Sequence, residues 1–262
     1  MMRALWSAAS GMKTQQDNMD VVAHNLANVN TYGAKKVRAE FHDLLYQTLR
    51  PAGGNSGPDS QYPTGLQIGL GDRLAATQRI FTQGNLQATG NPTDIAIEGE
   101  GFFRVEMPDG TVAYTRDGSF KLDSNRRLVT TDGYPEADNI TIDQNASNDS
   151  ITISGTGLVS DVVDGQTNEV GQITITRFVN PAGLTAIGKN LFIETEASGE
   201  PLDGNPGEDG AGTLVQSVIE MSNIQVVEEM VNMIVAQRAY ESDAKAITTS
   251  DSMLEIANGL KR

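Results

Sequence analysis

The residues of this chain that could take part in catalysis are mainly carboxylates. Glu98 and Glu100 lie two residues apart, as do Glu194 and Glu196, so each pair would share one face of a strand. Two facing carboxylates could form the acid and base of a glycosidase, but that reaction also needs aromatic residues to bind sugar, and few lie near these pairs. The pattern therefore favours solvated strand edges over a catalytic pair.

Metal and cofactor sites have little support in the sequence. The run Asp203-Gly204-Asn205-Pro206-Gly207 begins like a calcium-binding loop but lacks the acidic or amide residue at its fifth place. Gly99-Glu100-Gly101 lacks the third glycine of a dinucleotide-binding loop. There is no cysteine, and the only histidines are His24 and His42. We therefore expect no metal site, no cofactor and no catalytic constellation.

Composition excludes further classes of function. Of 262 residues, 34 are acidic and 19 are Lys or Arg, which gives a net charge of −15. Nucleic acids and anionic membranes both attract clustered basic residues, so neither is an expected partner. No run approaches the roughly 20 apolar residues that span a bilayer. The apolar stretch Ala4-Leu5-Trp6 is too short for a cleaved secretory signal, and we expect none.

An apolar stripe marks the first segment as a helix. Its residues recur every seven positions, with a second set three places later, which is an a/d heptad pattern interrupted at Gln15. The first set is Leu5, Met12, Met19 and Leu26, and the second is Ala8, Gln15, Val22 and Val29. The turn formers Asn30-Thr31-Tyr32-Gly33 predict that this helix stops near Asn28–Gly33.

The last segment carries a similar stripe. Its heptad positions are Val226, Met233, Tyr240, Ile247 and Leu254, widened by Val227, Met230, Ile234 and Ala244. Glu228-Glu229 would lie in an early helical turn, where the helix dipole favours negative charge. The pattern predicts a second long helix within residues 214–262.

Between the helices, turn signals and short apolar alternations predict β structure. Asp-Gly and similar pairs at 109–110, 117–118, 124–125 and 132–133 indicate hairpins, and further strands are expected at 94–98, 140–142, 151–154, 173–178 and 191–194. Residues 51–71 and 198–212 are rich in Gly and Pro and indicate extended loops. The predicted fold class is α+β, with helices at 1–33 and 214–262, an extended arm or linker at 34–76 and a central β domain at 77–213.

The apolar stripes of the two predicted helices must be covered by other apolar surfaces. The simplest arrangement pairs the terminal helices as in a coiled coil, yet such a pair would leave apolar residues outside the heptad positions uncovered. Either the β domain covers them or other copies of the chain do. Repeated head-to-tail association would produce rings or helical filaments.

Several motifs, in one order along nearly the whole chain, resemble those of flagellar basal-body rod and hook proteins. The N-terminal motif includes Asn25, Leu26, Ala27, Asn28, Thr31 and Gly33, and the C-terminal motif includes Gln237, Arg238, Ala239 and Tyr240. Central motifs are Gly84-Asn85-Leu86, Thr89-Gly90-Asn91-Pro92, Gly101-Phe102-Phe103 and Tyr114-Thr115-Arg116-Asp117-Gly118. The arm with Pro63, Thr64, Gly65, Leu66, Gln67, Gly69 and Gly71 is closest to members that form the distal rod.

The resemblance implies a structural protein that assembles with itself into a hollow helical drive shaft. It implies subunit packing through Leu5, Met12, Met19, Val22, Leu26, Val226, Met230, Met233, Ile234, Tyr240, Ile247 and Leu254. The implied partners are other copies, proximal rod proteins, the hook protein, bushing ring proteins and the flagellar export apparatus. The implied location is the periplasm-spanning basal body. Alternatives are a proximal rod or hook-type subunit and, far behind, a peptidoglycan-active enzyme.

Overall fold

The computed structural model describes residues 2–53, 55–57, 60–144, 146–147, 150–163 and 166–259. The chain forms two compact units. The helical unit contains Met1–Leu26, Val37–Gln78 and Gln225–Arg262, and the β unit contains Ala27–Lys36 and Arg79–Ile224.

Two long helices dominate the helical unit, as the stripes predict. Helix α1 spans Met2–Ala27 and helix α2 spans Val226–Gly259. Glu228 and Glu229 lie in the first turn of α2, where the helix dipole stabilises negative charge. Helix α1 ends at Ala27, directly before the predicted stop near Asn28–Gly33, and those residues form turns. Within the described residues, neither helix is long and apolar enough to cross a membrane.

A β ribbon of three nested strand pairs completes the helical unit. Its strands are β1 (Val37–Asp43), β2 (Gln47–Arg50), β3 (Asn55–Gly57), β4 (Ser60–Gln61), β5 (Leu66–Ile68) and β6 (Asp72–Arg79). They pair in nested order, β1 with β6, β2 with β5 and β3 with β4. The extended loop or arm expected at 51–71 thus contains strands β3, β4 and β5. Strands β1, β2, β5 and β6 form by backbone pairing and have no fully buried side chain, so no apolar alternation marks them in the sequence.

The β unit contains the remaining strands. They are β7 (Leu86–Ala88), β8 (Ile95–Glu98), β9 (Phe102–Glu106), β10 (Val112–Thr115), β11 (Lys121–Leu122), β12 (Leu128–Val129), β13 (Thr152–Ile153), β14 (Leu158–Val163), β15 (Gln166–Gln172), β16 (Ile175–Arg177), β17 (Thr185–Gly188), β18 (Leu191–Ile193), β19 (Leu202–Gly204), β20 (Thr213–Gln216) and β21 (Val218–Glu220). The largest sheet has the order β17-β18-β10-β9-β16-β19, and β13-β14-β15 form a second sheet.

Strand β9 separates two apolar clusters of the β unit. Phe103 packs in the main core with Ile95, Ile97 and Ile175, whereas Phe102 joins an aromatic cluster. Successive residues of a strand point to opposite faces, so two adjacent phenylalanines serve two clusters. The aromatic cluster consists of Phe102, Tyr114, Phe178 and Phe192, with Phe81 and Leu184 against it.

Four sequence predictions differ from the structure in this region. Residues 214–225 are not helical, because β20 pairs with β8 and β21 pairs with β7 before α2 begins. Residues 140–142 make one isolated bridge, Arg127 with Thr141, rather than a strand. Gly118 permits a close approach to the backbone of Ile95 instead of forming a hairpin turn. The loop expected at 198–212 also contains β19, which pairs with β16.

Candidate assembly surface

Asn25 joins the end of α1 to the start of α2. Its Nδ2 donates to Oε2 of Glu229 at 3.0 Å and to the carbonyl of Val37 at 2.8 Å. Its Oδ1 accepts from the Val37 amide at 2.9 Å. Asn25 and Glu229 are both 1% exposed, so this amide satisfies a buried carboxylate and the backbone of β1 together.

A second contact fixes the direction of the two helices. A Cβ placed on Gly11 would lie 2.7 Å from Oδ2 of Asp243, so the Asp243 carboxylate rests against the bare backbone of α1. Gly11 precedes Asn25 by the same number of residues as Asp243 follows Glu229. The helices therefore run antiparallel, and Gly11 allows close approach despite its cost to helix stability.

Small and polar residues form the buried line of α2. Glu229, Ala236 and Ser250 are buried and Asp243 is half-buried, and these four recur every seven residues. In an α-helix, positions 227, 230 and 234 lie opposite this line. Their apolar side chains, together with those of Val231 and Val235, are exposed. The helical unit thus uses small residues internally and leaves large apolar ones outside.

The predicted packing residues divide into three levels of burial. Val22 is buried; Leu5, Met12, Met19, Leu26, Met233, Ile247 and Leu254 are half-buried; Val226, Met230, Ile234 and Tyr240 are exposed. In the C-terminal motif, Gln237 and Arg238 are also exposed and Ala239 is half-buried. Packing of these residues between subunits remains a prediction.

The β ribbon is another surface with apolar side chains in solvent. Leu45, Tyr46, Leu49 and Leu66 are all exposed, and Leu45 reaches 88% exposure. Of the predicted arm residues, Pro63, Thr64, Gly65, Leu66, Gln67 and Gly69 are exposed and Gly71 is half-buried. Gly71 anchors the ribbon, because it has φ +109° and a Cβ there would overlap Oγ of Ser10 on α1.

The N-terminal motif continues into the β unit. The amide and hydroxyl of Thr31 bond to Asn28, and the amide of Gly33 donates to the carbonyl of Glu220 at 2.8 Å. Gly33 has φ +65°, and a Cβ would lie 2.7 Å from the backbone of Arg116. Backbone conformation and close approach both require glycine here. Ala27, at the start of this segment, is exposed.

A buried ion cluster next to this segment was not foreseen from the sequence. Nζ of Lys35 lies 2.5 Å from Oε1 of Glu220, and Oε2 of Glu220 lies 3.4 Å from Arg116. The amide of Gly84 also donates to Glu220 at 2.7 Å. Burial lowers the pKa of Lys35 and that of Arg116, while attraction to Glu220 opposes both shifts. No local pattern marks these residues, which come from distant parts of the chain.

Glu136 is a second buried titratable residue that the sequence did not indicate. It is 1% exposed, and burial is the main cause that raises its pKa to about 9. The nearby Asp138 carboxylate lies 2.5 Å from Arg104. Glu136 is therefore protonated at neutral pH, whereas Asp138 has a cationic partner.

The other residues considered for chemistry do not form a site among the described residues. Glu98 is exposed, and Glu100 faces solvent with Arg177 3.8 Å away. The carboxylate of Asp203, in the run that begins like a calcium-binding loop, accepts hydrogen bonds from Thr176 and Arg104. No group of three or more His, Asp or Glu suited to a metal ion occurs in the described part of the chain.

Comparisons with known proteins identify similar chains over the full length. Residues 5–35 match a family described as flagella basal body rod protein, 96–161 match the flagellar hook protein FlgE/F/G D1 domain, and 215–260 match the flagellar basal body rod FlgEFG protein C-terminal. A FlgG rod protein of Borreliella burgdorferi is 58% identical, with 100% of both chains covered. One from Buchnera aphidicola of Acyrthosiphon pisum is 51% identical over 97% of this chain and 98% of its own.

A hook protein is similar over a shorter region. The FlgE of Helicobacter mustelae is 43% identical over 139 residues, which are 51% of this chain and 30% of the hook protein. Full-length similarity is thus found with rod proteins.

Proposed function

The chain belongs to the family of flagellar basal-body rod proteins named FlgG, and we propose on that basis that it assembles with itself into a hollow helical drive shaft. Members of this family are structural subunits of the distal rod and not enzymes. The chain is therefore a component of the flagellar basal body. The peptidoglycan-active alternative is abandoned, since the whole length matches a structural family.

The observation that carries the proposal is the outward apolar stripe at the start of α2. Val227, Met230 and Ile234 lie on the side opposite the buried line Glu229–Ala236, so α1 cannot cover them. Removing such side chains from water is worth about 1.5–3 kcal/mol each. Packing of terminal helices from neighbouring copies would supply this burial, in the coiled-coil-like manner that the heptads predict.

The ribbon would brace neighbouring subunits. Its exposed residues Leu45, Tyr46 and Leu49 offer apolar area, and Gly71 ties it to α1. A ribbon fixed at its base and packed against another copy would resist bending, because close-packed interfaces transmit strain. In this proposal, the arm residues 63–71 contact a neighbouring subunit and stiffen the shaft.

The shaft would cross the periplasm and join the proximal rod to the hook, passing through the bushing rings. The subunits would leave the cell through the flagellar export apparatus. The family assignment supports this proposal, and the acidic composition is consistent with the expectation of no nucleic-acid partner.

Substitution of Ile234 tests self-assembly. Ile234 is 53% exposed, so Ile234→Asp should leave the monomer folded while placing a charge in the packed seam, which is costly. Sedimentation and electron microscopy should show long assemblies for wild type and none for this variant. The control Ile234→Leu keeps the apolar area and should assemble. Normal assembly and motility of Ile234→Asp would refute the proposal.

Shortening the ribbon distinguishes the distal rod from a proximal rod or hook-type subunit. Arg50 pairs with Leu66, so replacing 51–65 with Asn-Gly would close the hairpin at that register. A distal rod subunit should then form a more flexible shaft, measured as a shorter persistence length in electron micrographs. Unchanged stiffness would favour one of the alternatives.

A further inference from the structure

A cavity of about 110 Å³ lies in the β unit beside its aromatic cluster. Its lining includes Phe81, Phe102 and Phe178 together with Arg116, Arg177 and the exposed Glu100. Phe102 packs edge-on against Phe81 at 5.3 Å and against Phe178 at 5.8 Å, measured between ring centroids, so the apolar wall is fixed. One water occupies about 30 Å³ in the liquid, and the cavity therefore has room for a short side chain.

The two arginines of this cavity are incompletely satisfied. Arg116 is 4% exposed. Its Nη2 donates to the carbonyl of Gly99 at 2.6 Å, and its Nη1 lies 3.4 Å from Oε2 of Glu220. Arg177 donates to the carbonyl of Asp209, and its Nε lies 3.8 Å from Glu100, too far for a hydrogen bond. The Nε atoms of both arginines are buried and have no hydrogen-bond acceptor among the described residues. Such donors cost free energy until an acceptor arrives.

A third guanidinium borders the same aromatic cluster. Arg79 lies 5.1 Å from the ring centroid of Phe192, and Phe192 packs 5.4 Å from Phe81. No ion-pair partner of Arg79 occurs in the described ranges. Three arginines therefore surround one aromatic cluster of a chain whose net charge is −15.

We propose that this cavity, here called the arginine–aromatic pocket, binds an Asp or Glu side chain of a second copy of the chain. Guanidinium groups bind carboxylates with directed hydrogen bonds, and the phenylalanines would contact the methylene stem. The partner is a second copy because 34 acidic residues face only 19 basic ones, so a cationic pocket is complementary to much of a neighbour's surface. The inference rests on the proposed self-assembly, since it requires neighbouring copies.

Substitution of Arg177 in the full chain tests the pocket. Arg177→Gln removes the charge at the accessible side of the pocket and leaves Arg116 and its contact with Glu220 in place. The concentration of protein needed for assembly should rise at least about tenfold, since loss of one partner of a buried charge pair weakens an interface strongly. Arg127→Gln is the control, because Arg127 pairs locally with Asp123, and it should assemble like wild type.

The outcomes separate this inference from the proposed function. If Ile234→Asp blocks assembly but Arg177→Gln assembles like wild type, the pocket proposal is wrong and the shaft proposal stands. If wild type never assembles, both are wrong. An assembly defect of Arg177→Gln supports the pocket proposal if the monomer of this variant unfolds at the same temperature as wild type. A loss of monomer stability large enough to account for the assembly defect would overturn the pocket proposal.

A photoreactive benzoylphenylalanine in place of Pro181, which lines the pocket, then identifies the bound residue. Irradiated assemblies should give cross-links between copies next to one particular Asp or Glu. Replacing that residue with Arg should restore assembly of Arg177→Glu. Cross-links within one copy only, or failure of the charge exchange, would overturn the proposal.

Discussion

Individual buried polar residues hold the end of α1, the start of α2 and the segment before β1 in place. Asn25 satisfies Glu229 and the Val37 backbone together, and Lys35 satisfies Glu220 beside Arg116. Each of these groups would be costly to bury without its partner. Their partners come from the opposite end of the sequence, so the motif residues near 25–35 have structural tasks that do not depend on chemistry at an active site.

Glu136 should make the stability of the β unit depend on pH. Its pKa is raised from 4.5 to about 9, so the folded state holds a proton that the unfolded state has lost across this window. Stability is then fully present below pH 4.5 and falls as pH rises towards 9, by at most about 1.4 kcal/mol per pH unit. Urea unfolding at pH 5, 7 and 9 measures this slope.

Glu136→Gln, a neutral mimic of the protonated acid, should flatten the slope and raise stability at pH 9. The control Glu106→Gln changes an exposed carboxylate on β9 and should retain the slope of wild type. Equal slopes for Glu136→Gln and wild type would show that Glu136 is already ionised in the folded protein.

At the scale of elements, the helices and the ribbon are held by close backbone approaches. Gly11 admits Asp243 between α1 and α2, and Gly71 admits Ser10 between the ribbon and α1. The short segment before β1 is held in the β unit by Lys35 and Gly33. Close contacts at glycines thus hold the helices and the ribbon, and one buried ion cluster holds the segment before β1, although these elements bury few large apolar side chains.

Lys35→Met should destabilise the β unit by about 3–5 kcal/mol, because it removes one partner of a buried pair. Urea unfolding followed by near-ultraviolet circular dichroism measures the loss. Lys189→Met is the matched control, since Lys189 makes a surface pair with Asp132 at 3.7 Å and should cost less than about 1 kcal/mol. Similar losses for both variants would contradict a structural role of the buried pair.

Gly71→Ala should loosen the ribbon from α1. A side chain at φ +109° is strained by about 1–3 kcal/mol, and its Cβ would also meet Ser10. Hydrogen exchange of residues 37–53 and 60–78 should accelerate. Gly69→Ala is the control, because its Cβ would only touch Tyr46 at 3.4 Å without a positive φ. Unchanged exchange in Gly71→Ala would argue that Gly71 does not anchor the ribbon.

At the scale of the whole molecule, large apolar side chains remain in solvent in an acidic chain. They include Trp6 at 72% exposure, Val227 at 75% and Leu45 at 88%. All three belong to the helical unit, and their burial would favour association. We propose that the net charge opposes non-specific association of copies, while local apolar and cationic surfaces direct their specific contacts.

Trp6 is the only tryptophan and should report assembly directly. Its fluorescence should shift to shorter wavelength as copies associate, because the start of α1 moves from water into a packed environment. The Ile234→Asp variant should show no shift at the same concentration. Complete assembly with an unshifted spectrum would mean that Trp6 lies outside the interfaces.

The sequence by itself determined the two helices, the α+β class and the family. Periodicity is local, and the motifs near 25–33 and 237–240 are contiguous. It also indicated the β9–β10 and β11–β12 hairpins, because turns such as 109–110 are encoded by neighbouring residues. The strands within the predicted arm were not indicated, because they pair through backbone groups and the side chains described in β1, β2, β5 and β6 are not buried.

Only the tertiary structure decided which face of α2 is covered. The heptad predicts a stripe through Met233 and Ile247, but the contact of Asp243 with Gly11 and the bond from Asn25 to Glu229 place small and polar residues inside. The same is true of the helix boundary at 226, the Lys35–Glu220 pair and the arginine–aromatic pocket. Each depends on residues far apart in the chain, and their pairing is fixed by packing and desolvation that no local pattern records.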